Sequence, residues 1–248
     1  MVFVQCSDRL RENQSREHQY SFHLENGFER VNITADLPLT GFFGQHCSPR
    51  LTNPVMIVGL QGTSDLGYRC TKKLVRALGA RRFAEYYSEC FPDIALVNRG
   101  GLSSLPRWTF FERSKVNPHL VILCGSAELA SQQPEDYYST FHQIAEFSKA
   151  LAVRMTYILD GTMTGEVIES TIRVAATHPD LLRRARRYGA GILRRTSLPS
   201  VPGLLIGFHR LYGSPAMLIL CSTGPGLRNE GNVDALLNFL GKFVRLKS

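Results

Sequence analysis

The stretch GLQGTSDLG, residues 59–67, follows the apolar run PVMIVGL and precedes YRCTKKLVRALG. A buried strand, a glycine-rich turn and a helix start is the arrangement whose backbone N–H groups cradle phosphates. A P-loop needs GxxxxGK[ST], with the lysine on the phosphates and the hydroxyl on magnesium. Gly62 and Gly67 have the right separation, but Tyr68 and Arg69 stand where the lysine and hydroxyl belong. The dinucleotide pattern GxGxxG also fails, because the glycines fall at 59, 62 and 67. Two readings stay open. The turn is a tight strand-to-helix connection, or it is part of a ligand mouth at the carboxyl ends of parallel strands. Further glycines end other strands, at 161 and 165 in DGTMTGE and at 224 and 226 in STGPG. On the second reading the ligand-binding candidates are Gly59, Gly62, Asp65, Gly67, Ser126, Gly161 and Glu166.

No complete catalytic set accompanies that rim. GxSxG is absent, and Ser126 in CGSAE has no histidine or acid tied to it by spacing. The seven histidines show no HExxH spacing, and His178 before Pro179 reads as a helix-cap residue. Glu128 and Glu166 each follow a strand end, so a carboxylate pair for acid–base work is an alternative. The six cysteines are scattered without a CxxC pair, and only His46–Cys47 are adjacent. They read as buried free thiols rather than zinc ligands. No catalytic residue, metal or cofactor is expected.

Bulk properties fit a soluble protein. Of 248 residues, 44% are hydrophobic and 20% charged, the balance of an ordinary globular chain. No apolar run approaches the ~18–20 residues that span a bilayer. The N-terminus turns polar after four residues and lacks the apolar centre of a signal peptide, so a cytoplasmic protein is expected. The formal charge is +8, and part of it is concentrated in RRARRYGAGILRR. Arg183, Arg184, Arg186, Arg187, Arg194 and Arg195 form a candidate interaction patch. Nucleic acid would need aromatic stacking platforms there, and only Tyr188 interleaves. A solvated helix face, or a surface meeting an acidic protein, is the alternative.

The elements that would position these residues follow from periodicity. Residues 1–50 read as an N-terminal extension, disordered at first, with an Asn26-Gly27 hairpin signal inside 20–33. PLTGFFGQHCSPRLTNP reads as loop. Residues 51–248 then read as a single domain. VMIVGL, DIALVN, RWTFFE, HLVILCG, VRMTYILDG, STIRVAAT and SPAMLILC are strand candidates. Leu66, Cys70, Leu74 and Leu78 make one helical stripe, with Ser64 or Asp65 to cap it and Gly79 to end it. Pro134 opens a helix with Tyr137, Phe141, Ile144, Ser148 and Leu151 inward. Pro179 and Asp180 open another, stopped by Gly189, and Asn232 caps a last one carrying Val233, Leu236, Leu237, Leu240 and Phe243. Apolar strands alternating with amphipathic helices predict an α/β fold, a three-layer α/β/α sandwich with a mostly parallel sheet.

The order of segments resembles the proteasome assembly chaperone 2 family, in its archaeal and bacterial branch. That family opens with an apolar strand, a Gly-x-x-Gly…Gly turn, a helix ending Leu-Gly-Ala, and then Phe-Pro. Gly59, Gly62, Gly67, Leu78, Gly79, Ala80, Phe91 and Pro92 match those positions. GGLSSLP, LVILCGSAELASQQPEDYY, YILDGTMTGE with TIRVAAT, and SVPGLLIGFHRLYGSPAMLILCSTGPG resemble its later segments in order, over residues 52–245. The resemblance implies a nucleoside-phosphorylase-like fold, homo-oligomers, and a non-enzymatic chaperone that binds proteasome α-subunits. No catalytic residues come with it. Archaeal members dock through a penultimate tyrosine in a C-terminal tail, and this chain ends Arg245-Leu246-Lys247-Ser248. The alternative is a nucleoside- or phosphate-directed enzyme or binder that uses the glycine rim.

Overall fold

The computed structural model describes residues 41–62, 64–163, 171–198, 200–223 and 230–244. The hairpin expected within 20–33 lies outside them. The described chain opens with β1 (Gly41–Gln45), β2 (Val55–Leu60), α1 (Leu66–Leu78) and β3 (Arg81–Ser88). It continues with β4 (Leu96–Val97), β5 (Ser103–Ser104), β6 (Trp108–Arg113), β7 (Leu120–Gly125) and α2 (Pro134–Ala150). Then come β8 (Met155–Met163), β9 (Ile172–Ala176), α3 (Pro179–Arg187) and β10 (Gly191–Ile192). The last elements are α4 (Ser200–Leu211), β11 (Ala216–Thr223) and α5 (Glu230–Val244).

Nine strands form one sheet in the order β1-β3-β6-β7-β2-β8-β11-β9-β10. The longest apolar runs lie at its centre. VMIVGL and LVILCG, β2 and β7, are buried almost throughout and pair in parallel, with Ile57 opposite Ile122. β8 pairs in parallel with both β2 and β11. Strands covered on both faces need apolar side chains in both directions.

One helical layer packs α2 and α4 on Met56, Val58, Leu123 and Leu218. The other packs α1, α3 and α5 on Ile57, Leu120, Leu159 and Ile219. The predicted stripes are the buried ones: Leu66 and Cys70 in α1, Phe141, Ile144 and Ser148 in α2, and Val233, Leu236, Leu240 and Phe243 in α5.

The α/β class and the three layers stand as expected, and the sheet is mixed: β7-β2-β8-β11 at its centre and the short β9–β10 pair at one edge are parallel. β1–β3, β3–β6, β6–β7 and β9–β11 are antiparallel. The connection from β6 to β7 is too short for a crossover helix, which a parallel pairing would require. WTFFER shows this in its pattern: Trp108 and Phe110 are buried while Thr109 and Phe111 are only half-buried.

Three local expectations are also corrected. Residues 41–45, expected to be loop, form edge strand β1, which places the start of the sheet upstream of residue 51. Phe42 stacks on Tyr87 at 5.2 Å and Phe43 on Phe147 at 4.3 Å, contacts that exist only once the sheet has formed. DIALVN contributes only the two exposed residues of β4. Asn232 is buried inside α5, which begins by Glu230.

At the β2–α1 turn backbone packs closely on backbone. A Cβ on Gly59 would lie 2.0 Å from the Gly67 carbonyl oxygen, and one on Gly67 would lie 2.1 Å from that of Leu159. Both obstacles are backbone and cannot swing aside. The Thr71 hydroxyl adds a hydrogen bond to the Gly59 carbonyl at 3.1 Å. Helix α1 then ends at Gly79, whose left-handed φ of 56° suits glycine.

Gly67→Ala should therefore destabilise the fold by at least about 3 kcal/mol in urea unfolding. Gly62→Ala, whose nearest neighbour is Val201 at 3.5 Å, should cost less than about 1 kcal/mol. Equal costs would contradict the backbone contact.

Candidate functional site

Gly59, Gly62, Gly67 and Gly161 do come together, at the carboxyl ends of β2 and β8. Three of them are placed there by packing. Gly59 and Gly67 let α1 touch the two strands, and a Cβ on Gly161 would lie 2.5 Å from the Ser64 hydroxyl. Gly62 alone has room for a side chain.

The group these glycines surround is Asp160, a buried carboxylate that the sequence reading passed over. Its Oδ1 accepts hydrogen bonds from the Ser64 hydroxyl at 2.9 Å and from the Gly161 N–H at 2.7 Å. The Ser64 oxygen in turn accepts from the Leu66 N–H at 3.2 Å. Ser64 is thus the residue that caps α1, while Asp65 sits at the N-cap position without a side-chain cap bond. Burial pushes the Asp160 carboxyl up to about 6, and the bonds from Gly161 and Ser64 oppose that shift without cancelling it. The available signal was a single acid closing the apolar run YIL before a glycine.

The other candidates do not join this cluster. Asp65 faces Arg69 at 3.9 Å, and Arg69 also pairs with Glu230. Ser126 is exposed at the end of β7. Glu128 is exposed too and accepts a hydrogen bond from Gln61 at 2.9 Å, so it bridges the β2 and β7 ends. Glu166 lies outside the described residues. Among the described residues, no group of three His, Cys, Asp or Glu could hold a metal ion, and no helix is long and apolar enough to cross a membrane. Cys70, Cys90 and Cys221 are buried free thiols, while Cys47 and Cys124 are half-buried.

The arginine patch divides. Arg184 donates to the Phe243 carbonyl at 3.0 Å and stacks over the Phe243 ring at 4.8 Å, so it ties α3 to the end of α5. Arg183 pairs with Asp180 at the surface. Arg186, Arg187, Arg194 and Arg195 are exposed.

A second surface feature has no motif behind it. β4 and β5 form a two-stranded hairpin separate from the main sheet. Its turn is held by Asn98, whose side-chain oxygen accepts from the N–H groups of Gly100 and Leu102. Around it Ile94, Leu96, Val97, Leu102 and Leu105 are all exposed, Leu102 at 70%. Single exposed apolar residues are ordinary; five within one stretch of twelve residues are not.

The base of this hairpin is anchored by Glu85 on β3. Its buried carboxylate binds Arg107 at 2.7 Å, Arg82 at 2.9 Å and His46 at 3.0 Å. Burial alone would raise the Glu85 pKa, but hydrogen bonds from His46 and Tyr87 and the charges of Arg107 and Arg82 hold it below the usual value.

The fold is that of a three-layer α/β/α protein with a mixed sheet. Residues 56–248 match the model of the PAC2 family, and the chain belongs to that family. No curated protein sequence matches it. Among solved structures it is similar to Pyrococcus furiosus PbaB, described as an archaeal proteasome activator, with TM-score 0.76 and 20% identity over 85% of this chain and 91% of that one. It is also similar to Pyrococcus furiosus PbaA, an archaeal homolog of proteasome-assembly chaperone, with TM-score 0.70 and 16% identity over 84% and 87%. A Mycobacterium tuberculosis proteasome-assembly chaperone homologue gives TM-score 0.63 and 15% identity over 78% and 86%.

Two buried groups make the fold's pH response specific. Asp160, raised to about 6 from 3.8, binds a proton in the folded state where the unfolded chain has lost it, so its share of stability falls as pH rises from about 4 to 6. His209 is buried in α4 with Nε2 unpartnered, and burial lowers it to about 4 from 6.5. Its share therefore falls as pH drops from about 6.5 to 4. Each amounts to about 3 kcal/mol at most. Measured as differences from wild type by urea unfolding, Asp160→Asn should gain stability as pH rises through that window. His209→Leu should gain it as pH falls. Flat or same-signed differences would contradict these assignments.

Proposed function

We propose that this protein is a non-enzymatic, chaperone-like assembly factor that binds proteasome α-subunits and works as a cytoplasmic homo-oligomer. The observation that carries the reading is the projecting apolar hairpin of residues 94–105 on a chain of the PAC2 family. A protein that holds another subunit needs exposed apolar area on a firm base, and Glu85 supplies the base. The exposed arginines on α3 and after β10 suit an acidic protein surface.

A second reading, a small-molecule enzyme or binder at the glycine-rich strand ends, draws on Asp160. A buried carboxylate repels phosphate but can accept from, or once protonated donate to, a nucleoside hydroxyl or base edge. Gly62, which has room beside it, leaves backbone close to such a ligand.

The two separate in one experiment. The purified chain is mixed with purified α-subunits from the same cell and examined by size exclusion and native mass spectrometry. Homo-oligomers alone, and complexes with α-subunits in the mixture, are expected. The triple change Val97→Ser, Leu102→Ser, Leu105→Ser should abolish the complex with secondary structure unchanged, and Asp160→Asn should preserve it. Absence of any complex with the unaltered chain overturns the first reading.

A further inference from the structure

The face of the sheet beneath α1 is only partly covered. α1 packs on β2, β7 and β8, and among the described residues no helix makes more than marginal contact with β6 on this side. The result is a groove of about 360 Å³. Lys72 and Arg76 of α1 form one wall, Phe111 and Cys124 the floor, and Leu96 and Arg107 at the hairpin the other wall. We propose that this groove receives an extended segment of a partner protein in which an acidic residue lies between large aliphatic ones.

Charge carries the first half of the inference. Three cations line the groove and no carboxylate does. Arg107 is committed to Glu85 at 2.7 Å. Lys72 and Arg76 are exposed and have no ion-pair partner among the described residues. They sit one helical turn apart on the same face, where like charges repel each other. A carboxylate entering between them relieves that repulsion and gains two charge-assisted contacts.

The apolar half comes from the floor and the far wall. Phe111 is only half-buried in the floor, and Leu96 of the far wall is 44% exposed. An aliphatic side chain next to the acid would cover both.

Other occupants fit less well. A second copy brings the same +8 charge to a basic groove. A nucleic acid would want aromatic stacking platforms. Here the two aromatic side chains offer no exposed series of platforms: Phe111 is half-buried in the floor, and the Tyr68 face is already occupied by the Lys72 ammonium at 5.1 Å. The inference deepens the protein-binding reading above and rests on it only for the claim that a protein docks here. A peptide assay needs no proteasome subunit, so the two can fail separately.

Fluorescence anisotropy with the full chain supplies the test. The probes are a labelled peptide of alternating aspartate and leucine, its lysine–leucine counterpart, and labelled oligothymidylate. The acidic peptide should bind saturably and the lysine peptide should not. Affinity should fall several-fold as salt rises from about 50 to about 300 mM. The double change Lys72→Glu, Arg76→Glu should weaken binding by about tenfold or more. Arg186→Glu with Arg187→Glu, an equal change of net charge elsewhere, should leave it unaltered. Leu96→Ser, at an exposed position, should weaken it about threefold, a loss that pure charge attraction does not predict. Three results would overturn the proposal: no binding of the acidic peptide, equal losses in both charge-reversed chains, or oligothymidylate binding more tightly than the peptide and lost on reversing Lys72 and Arg76.

Discussion

Backbone meets backbone where α1 crosses the carboxyl ends of β2 and β8, and much of the molecule is arranged around that contact. With Gly59 facing the Gly67 carbonyl and Gly67 facing that of Leu159, the helix lies closer to the sheet than any side chain would allow. The contact fixes where α1 starts, so Ser64 stands over Asp160 and closes the strand ends with a hydrogen-bonded cap. It fixes the rotation of α1 as well. Leu66 and Cys70 turn inward to the core shared with α5, while Lys72 and Arg76 turn outward beside the hairpin. A glycine-rich turn that looks like a phosphate cradle is used here for close packing, the same freedom from a Cβ serving a different purpose.

The sheet joins two kinds of structure. Its parallel centre, β7-β2-β8-β11, is buried on both faces and holds the molecule together. The antiparallel strands β1, β3 and β6 lie to one side, and there the face beneath α1 is covered by polar groups rather than by a helix. Glu85 is the centre of that cover. Its single carboxylate gathers two arginines, a histidine and the Tyr87 hydroxyl, and so holds the base of the hairpin that carries the exposed aliphatic residues. A buried charge with these partners is costly to disturb. The buried parallel half positions a half with more exposed surface, and the proposed function falls on that surface rather than on a buried centre.

What could be read from the amino-acid order was what local pattern decides. VMIVGL, LVILC and the stripes of α1, α2 and α5 declare themselves because burial on both faces, or on one helical face, leaves a periodic trace. β3 left none. RRFAEYYS carries three charges and reads as strand only once Glu85 has its partners across the sheet. β1 was hidden in the same way, because Phe42 and Phe43 find their rings on other elements. Gly59, Gly62, Gly67 and Gly161 stand out by type, yet how closely each is packed needed distances. Asp160 stood in plain view in YILDG and carried no motif. The ordered resemblance across 52–245 accounts for the family, and the matched span 56–248 agrees with it.

Hydrogen exchange of the chain, alone and with proteasome α-subunits, would test the central claim most directly, because it reports which backbone the partner covers. Slowed exchange across residues 94–105 and the outward side of α1, with 59–62 and 160–161 unchanged, is the result this account predicts. Slowing confined to the strand ends around Gly62 and Asp160, with the hairpin unaffected, would contradict it and move the function to the glycine rim.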